Sequence, residues 1–71
     1  MMAADYSKLW KLLIDKKINK TELRKASGIS TGTLAKLGKN DYVSTEVLEK
    51  ICNALQCDIG NVIEFVNNEE G

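Results

Sequence analysis

The chain predicts an all-helical fold of five short helices in one domain. Three observations carry that reading. Proline is absent from all 71 residues. Apolar residues recur at three- and four-residue spacings, with no alternating β-branched runs. A residue able to cap a helix precedes each apolar segment. Seventy-one residues are too few for two cores, and a chain of this size buries only about 60% of its unfolded surface. Such a domain is marginally stable, and oligomerisation would help it. With 44% apolar residues and no low-complexity tract, it is globular rather than disordered.

Residues 1–5 are expected to fray, which leaves an ordered core at about 5–66. Asp5 or Ser7 can cap a first helix that runs to about Lys16. Leu9, Leu12 and Leu13 lie at i, i+3 and i+4 and face the core, with Ile18 just beyond the helix. Tyr6, Trp10 and Ile14 form a second stripe, rotated away from the first. Either the small domain folds this stripe into the edge of its core, or Trp10 and Ile14 anchor a second subunit.

The stretch Asn19 to Asn40 reads as two short helices joined by a tight glycine turn. Asn19 and Glu22 are spaced as a capping box, each side chain able to meet the other's backbone N–H. The helix they open carries Leu23 and Ala26. Gly28 stands where a helix ends in a left-handed residue without a Cβ penalty. Ser30 can cap the next helix, Thr31 to about Leu37, with Leu34 and Leu37 on one face. Gly38, Lys39 and Asn40 close it.

Ser44 can cap a fourth helix from Thr45 to about Leu55, whose Val47, Leu48, Ile51, Cys52 and Leu55 close the core. Asp58 can cap a last helix, Ile59 to about Val66. Its Ile59, Val62, Ile63, Phe65 and Val66 span too much of a helix circumference for one core face. Either that helix is cradled deeply, or Ile63, Phe65 and Val66 pair with another chain. Residues 67–71, NNEEG, are an acidic tail.

The helix pair resembles the helix-turn-helix of the Cro and lambda-repressor superfamily of XRE-like regulators. Leu23, Gly28, Leu34 and Leu37 fall on the motif's apolar and glycine offsets, and the resemblance extends from about Leu9 to Val66. Arg24 stands where the family has a small residue and Ser27 where it has an apolar one, with Ala26 and Ile29 beside them to take over the packing. The resemblance implies a compact five-helix lambda-repressor-like DNA-binding domain with its helix-turn-helix in helices 2 and 3. It implies a recognition helix whose start enters the major groove, placing Ser30, Thr31, Gly32 and Thr33 at base edges. Lys36, one turn further on, reads guanine or makes a plain phosphate contact. Lys20 and Thr21 open helix 2 at the position that clamps the DNA backbone. Lys39, Asn40 and Arg24 are further phosphate candidates, which position without specifying. With few long base-reading side chains, specificity leans on DNA shape or on a second subunit. The family's C-terminal element often makes the dimer contact.

The net charge is zero, but it is unevenly distributed. Residues 1–40 hold nine basic residues against three acids, and residues 41–71 hold one against seven. The first stretch is therefore +6 and the second −6. The functional reading is a polyanion-facing half, and the bland one is chance segregation on solvated faces. No stretch approaches the roughly 20 apolar residues of a membrane span. The start, MMAADYSK, has no basic-then-apolar secretion pattern, so a cytoplasmic location is expected.

The chain has no histidine, the commonest general base and metal ligand. Cys52 and Cys57 lack the spacing and companions of a zinc site. They read as small buried hydrophobes that do not face each other along one helix. Gly28, Gly32 and Gly38 follow no strand and make no phosphate cradle. No metal, cofactor, small-molecule ligand or catalytic site is expected. The reading is a sequence-specific binder of double-stranded DNA, a repressor-like transcriptional regulator acting as a homodimer. Its rival is a partner-binding or antitoxin-like module that keeps the fold and binds DNA weakly.

Overall fold

The computed structural model describes residues 2–67, so the acidic stretch 68–71 lies outside the described residues. The described residues form four helices and a two-stranded sheet: β1 (Met2–Asp5), α1 (Ser7–Lys16), α2 (Lys20–Ser27), α3 (Thr31–Gly38), α4 (Thr45–Leu55) and β2 (Glu64–Asn67). A single 3-10 turn, Ile59–Asn61, precedes β2.

The starts of the middle helices follow the capping residues. Asn19 accepts from the Glu22 N–H at 2.7 Å while Glu22 accepts from the Asn19 N–H at 2.8 Å. Ser30 accepts from the Thr33 N–H at 3.1 Å, and Ser44 from the Val47 N–H at 3.2 Å. At α1 the capping residue by position is Tyr6, while the Asp5 carboxylate accepts from the Ser7 N–H at 2.8 Å.

Each of the four helices ends at a residue in the left-handed region: Lys17, Gly28, Asn40 and Gln56. Three of these ends are Schellman motifs, in which a second bond reaches back over the turn. The Ile18 N–H donates to Leu13, Asp41 to Lys36 and Cys57 to Cys52, at 3.0, 2.9 and 3.0 Å. Only after α2 is the left-handed residue a glycine, Gly28 at φ 80°.

The core gathers Leu9 and Leu13 of α1, Leu23 of α2, Ile29 of the turn, Leu37 of α3 and Leu48, Ile51 and Leu55 of α4. Ala4, Tyr6 and Val62 complete it. Tyr6 is fully buried, Trp10 half-buried and Ile14 74% exposed. The stripe of these three therefore splits, because Tyr6 sits at the helix cap and turns inward.

The two ends of the chain depart from the all-helical, five-helix expectation. Residues 2–5 are paired rather than frayed: β1 runs antiparallel to β2, with Met2 opposite Asn67, Ala3 opposite Val66, Ala4 opposite Phe65 and Asp5 opposite Glu64. Asp58 does cap a turn, accepting from the Ile59 N–H at 3.0 Å, but the turn stops at Asn61. Gly60 is a poor helix former, and Val62, Ile63, Phe65 and Val66 favour a pleated strand over a helix. Their spread around a helical circumference is the mark of an extended segment.

Candidate nucleic-acid interface

The interface is built on the α2–turn–α3 pair. Leu23, Ile29 and Leu37 are buried and Leu34 is half-buried, which fixes the inner face of both helices. Ile29 fills the turn, whereas Ala26 is exposed and takes no part in that packing. Ser27 sits half-buried at an apolar position because its hydroxyl donates to the Leu23 carbonyl at 2.7 Å, leaving no orphaned polar group.

With Leu37 turned inward, the opposite face of α3 points out. Ser30, Thr31, Gly32 and Lys36 are exposed and Thr33 is half-buried. The Ser30 hydroxyl accepts from the Thr33 N–H and stands 3.0 Å from the Thr33 hydroxyl, so the cap occupies both groups. Thr31 and Lys36 are the exposed polar side chains of α3 not engaged in the cap. A Cβ built on Gly32 would meet nothing closer than the Ser30 Oγ at 3.8 Å, so no neighbour within the chain requires a glycine there.

The cations divide. Lys20 and Thr21 are exposed on the first turn of α2, where helix N–H groups favour an anion. The Lys20 ammonium lies over the Trp10 ring, 4.4 Å from its centroid. Arg24 is half-buried and Lys39 exposed. Asn40 uses its side-chain oxygen internally, accepting from the Tyr6 N–H at 3.2 Å. Lys8 pairs with Glu64 at 3.6 Å, and Lys8 and Lys11 line a shallow depression with Asp15 and Asn61. The charge asymmetry along the chain is therefore partly undone in space, since these two cations of the basic half lie against the C-terminal half.

The candidate dimer residues also separate. Phe65 is 55% exposed, while Ile63 and Val66 are half-buried. The Phe65 ring lies 6.3 Å from that of Tyr42, and the Tyr42 hydroxyl donates to the Met2 carbonyl at 3.3 Å. Met2 and Tyr42 are exposed too, so three large apolar side chains stand exposed at or beside the sheet. Met2 and Tyr42 are not among the residues the sequence singles out, since their only signal is being large and apolar in segments without helical spacing.

Cys52 and Cys57 are free and half-buried. They are neighbours after all, because the left-handed Gln56 folds Cys57 back over the end of α4. Burial pushes the Cys52 thiol up, with the adjacent Cys57 and Asp58 adding to it, as suits packing rather than reactivity. No helix among the described residues is long and apolar enough to cross a membrane.

Residues 8–68 match the profile of the Cro/C1-type HTH DNA-binding domain. The chain is 34% identical over 61 residues to the uncharacterized HTH-type transcriptional regulator YozG of Bacillus subtilis (strain 168), across 83% of this chain and 73% of that protein. It is similar in structure to the crystal structure of the transcriptional regulator VanUg, Form II, with a TM-score of 0.89 and 55% identity. That match covers 92% of this chain and 87% of the other.

Proposed function

Given that the chain belongs to the Cro/C1-type helix-turn-helix DNA-binding family, we propose that it is a cytoplasmic, repressor-like transcriptional regulator binding duplex DNA as a homodimer. The observation that carries the reading is the outward face of α3, where Thr31, Gly32 and Lys36 are exposed, with Lys20 at the start of α2 and Lys39 after α3 exposed as well. In this reading α3 lies in the major groove. Thr31 and Lys36 read base edges, with Ser30 and Thr33 holding the start of the helix, and Gly32 lets its backbone approach closely. Lys20, Thr21, Lys39 and Arg24 hold phosphates on either side. Asn40 supports that grip by fixing the loop after α3.

The homodimer reading is supported by the exposed Met2, Tyr42 and Phe65 side chains, while Ile63 and Val66 are half-buried in the same C-terminal segment as Phe65. A two-fold pair would set its recognition helices roughly 34 Å apart on a near-palindromic site.

The test is a titration against random duplex DNA at several salt concentrations. Each phosphate neutralised adds about −0.9 to the slope of log affinity against log salt. A slope of several units supports the reading, and selection from a random pool then finds the operator. A flat response removes DNA and leaves the partner-binding module, with the sheet surface as its contact.

A further inference from the structure

Trp10 is half-buried on α1, with one face of its ring beneath the ammonium of Lys20, 4.4 Å from the ring centroid. The two residues come from different helices. Lys20 is the first residue of α2, directly after the cap at Asn19. Its position next to the free amides of a helix start is where the proposed function puts a DNA phosphate.

A lysine is a point charge on four rotatable bonds, and fixing it against a ligand loses much of its rotamer freedom. A partner that holds the ammonium beforehand reduces that loss. A carboxylate would do so but would also cancel the charge. Here Glu22, on the same turn, is tied to the Asn19 N–H at 2.8 Å. The indole face attracts the cation and carries no charge of its own. The ring is itself held, since α1 is anchored by Leu9 and Leu13 in the core.

We infer that Trp10 is a positioning residue for DNA binding, acting through Lys20: its ring holds the ammonium extended at the start of α2, charged and ready for a phosphate. This rests on the proposed DNA-binding function. It also gives Trp10 a role other than subunit anchor, because the ring face is already occupied within one chain.

The experiment is a double-mutant cycle on the full chain. Wild type, Trp10→Leu, Lys20→Ala and the double variant are titrated against one random duplex at fixed low salt. Each variant is first checked for native helicity and cooperative unfolding. Leucine keeps an apolar side chain at the position, and Trp10→Phe keeps a ring. Trp10→Leu should weaken binding about two- to fivefold, the range of one exposed cation–π contact, and Trp10→Phe should recover most of it. In the Lys20→Ala background Trp10→Leu should change nothing. An equal loss in both backgrounds, or no loss in either, overturns the inference while the salt slope of the wild type still stands. Absence of any salt-dependent binding by the wild type overturns both. A second readout needs no DNA, because Trp10 is the single tryptophan. Lys20→Ala should change its fluorescence, and an unchanged spectrum counts against the contact.

Discussion

The Tyr6 hydroxyl donates to the Asp41 carbonyl at 2.7 Å, and the Tyr6 N–H donates to the Asn40 side-chain oxygen at 3.2 Å. One fully buried residue at the cap of α1 thus holds the two residues that end α3. Tyr6→Phe removes the first bond and leaves a carbonyl short of a partner. It should cost about 0.5–1.5 kcal/mol, the net worth of one such bond. Urea unfolding should show a lower midpoint at unchanged slope. A midpoint equal to wild type would mean that water replaces the tyrosine at no loss.

The same tyrosine sets an alkaline limit. Burial pushes its pKa above the ordinary 10.0, with the charges of Asp41 and Tyr42 adding to the shift. The folded state therefore favours the neutral phenol, and this stability is full below pH 10 and lost as pH rises beyond it. Asp5 works in the other direction. Its hydrogen bonds from Ser7 lower its pKa below 3.8, so its small contribution is present above that pH and lost on acidification. Unfolding followed across pH should show the alkaline fall flattened in Tyr6→Phe and the acid fall flattened in Asp5→Asn.

Gly32 sits inside α3 with room for a methyl group. Gly32→Ala should stabilise the fold by roughly 0.5–1 kcal/mol, the helix cost of a glycine. If the α3 backbone lies close to DNA there, the same change should weaken binding. Thermal unfolding and a duplex titration of one variant measure both effects. A rise in both stability and affinity would show that nothing presses against this position.

The middle of the fold was legible because its signals are local. Asn19 with Glu22, Ser30, Gly28 and Ser44 each act within four residues, and each does as its spacing predicts. The ends were not legible, because β1 and β2 are four residues each and gain their stability from one another across some sixty positions. β1 carries no strand signal of its own, and the short apolar run that holds β2 reads as either helix or strand until it is paired. Tyr6 and Cys57 differ from expectation for a related reason. A helix period puts Tyr6 on the outer stripe, and it gives no sign that the turn after α4 brings Cys57 beside Cys52, because each sits at a helix boundary where the chain turns. On α3 the outward face was legible from Leu34 and Leu37 alone. The employment of Asn40 by Tyr6 was not, since it joins residues 34 apart in sequence.

Exposed apolar side chains are expected to decide the oligomeric state. Phe65 and Tyr42 lie together at the sheet, while Ile14 stands exposed on α1. Mass by light scattering should fall toward a monomer for Phe65→Ser and stay that of a dimer for Ile14→Ser. The opposite result would move the interface to α1. A monomeric wild type would remove the homodimer.

Positioning and reading should separate under mutation. Lys20 stands at a helix start with no base-reading geometry of its own, so Lys20→Ala should weaken binding to all sequences alike. It should also reduce the salt slope by about 0.9, the share of one phosphate. Thr31 and Lys36 are the exposed polar side chains of α3, so Thr31→Ala and Lys36→Ala should change which sequences a random pool yields. A lost base-edge contact costs about 1–3 kcal/mol at its own base pair. If Lys36→Ala instead lowers the slope and leaves the preference intact, Lys36 holds a phosphate. Base reading would then fall to Thr31, and the rest of the specificity to the shape of the DNA.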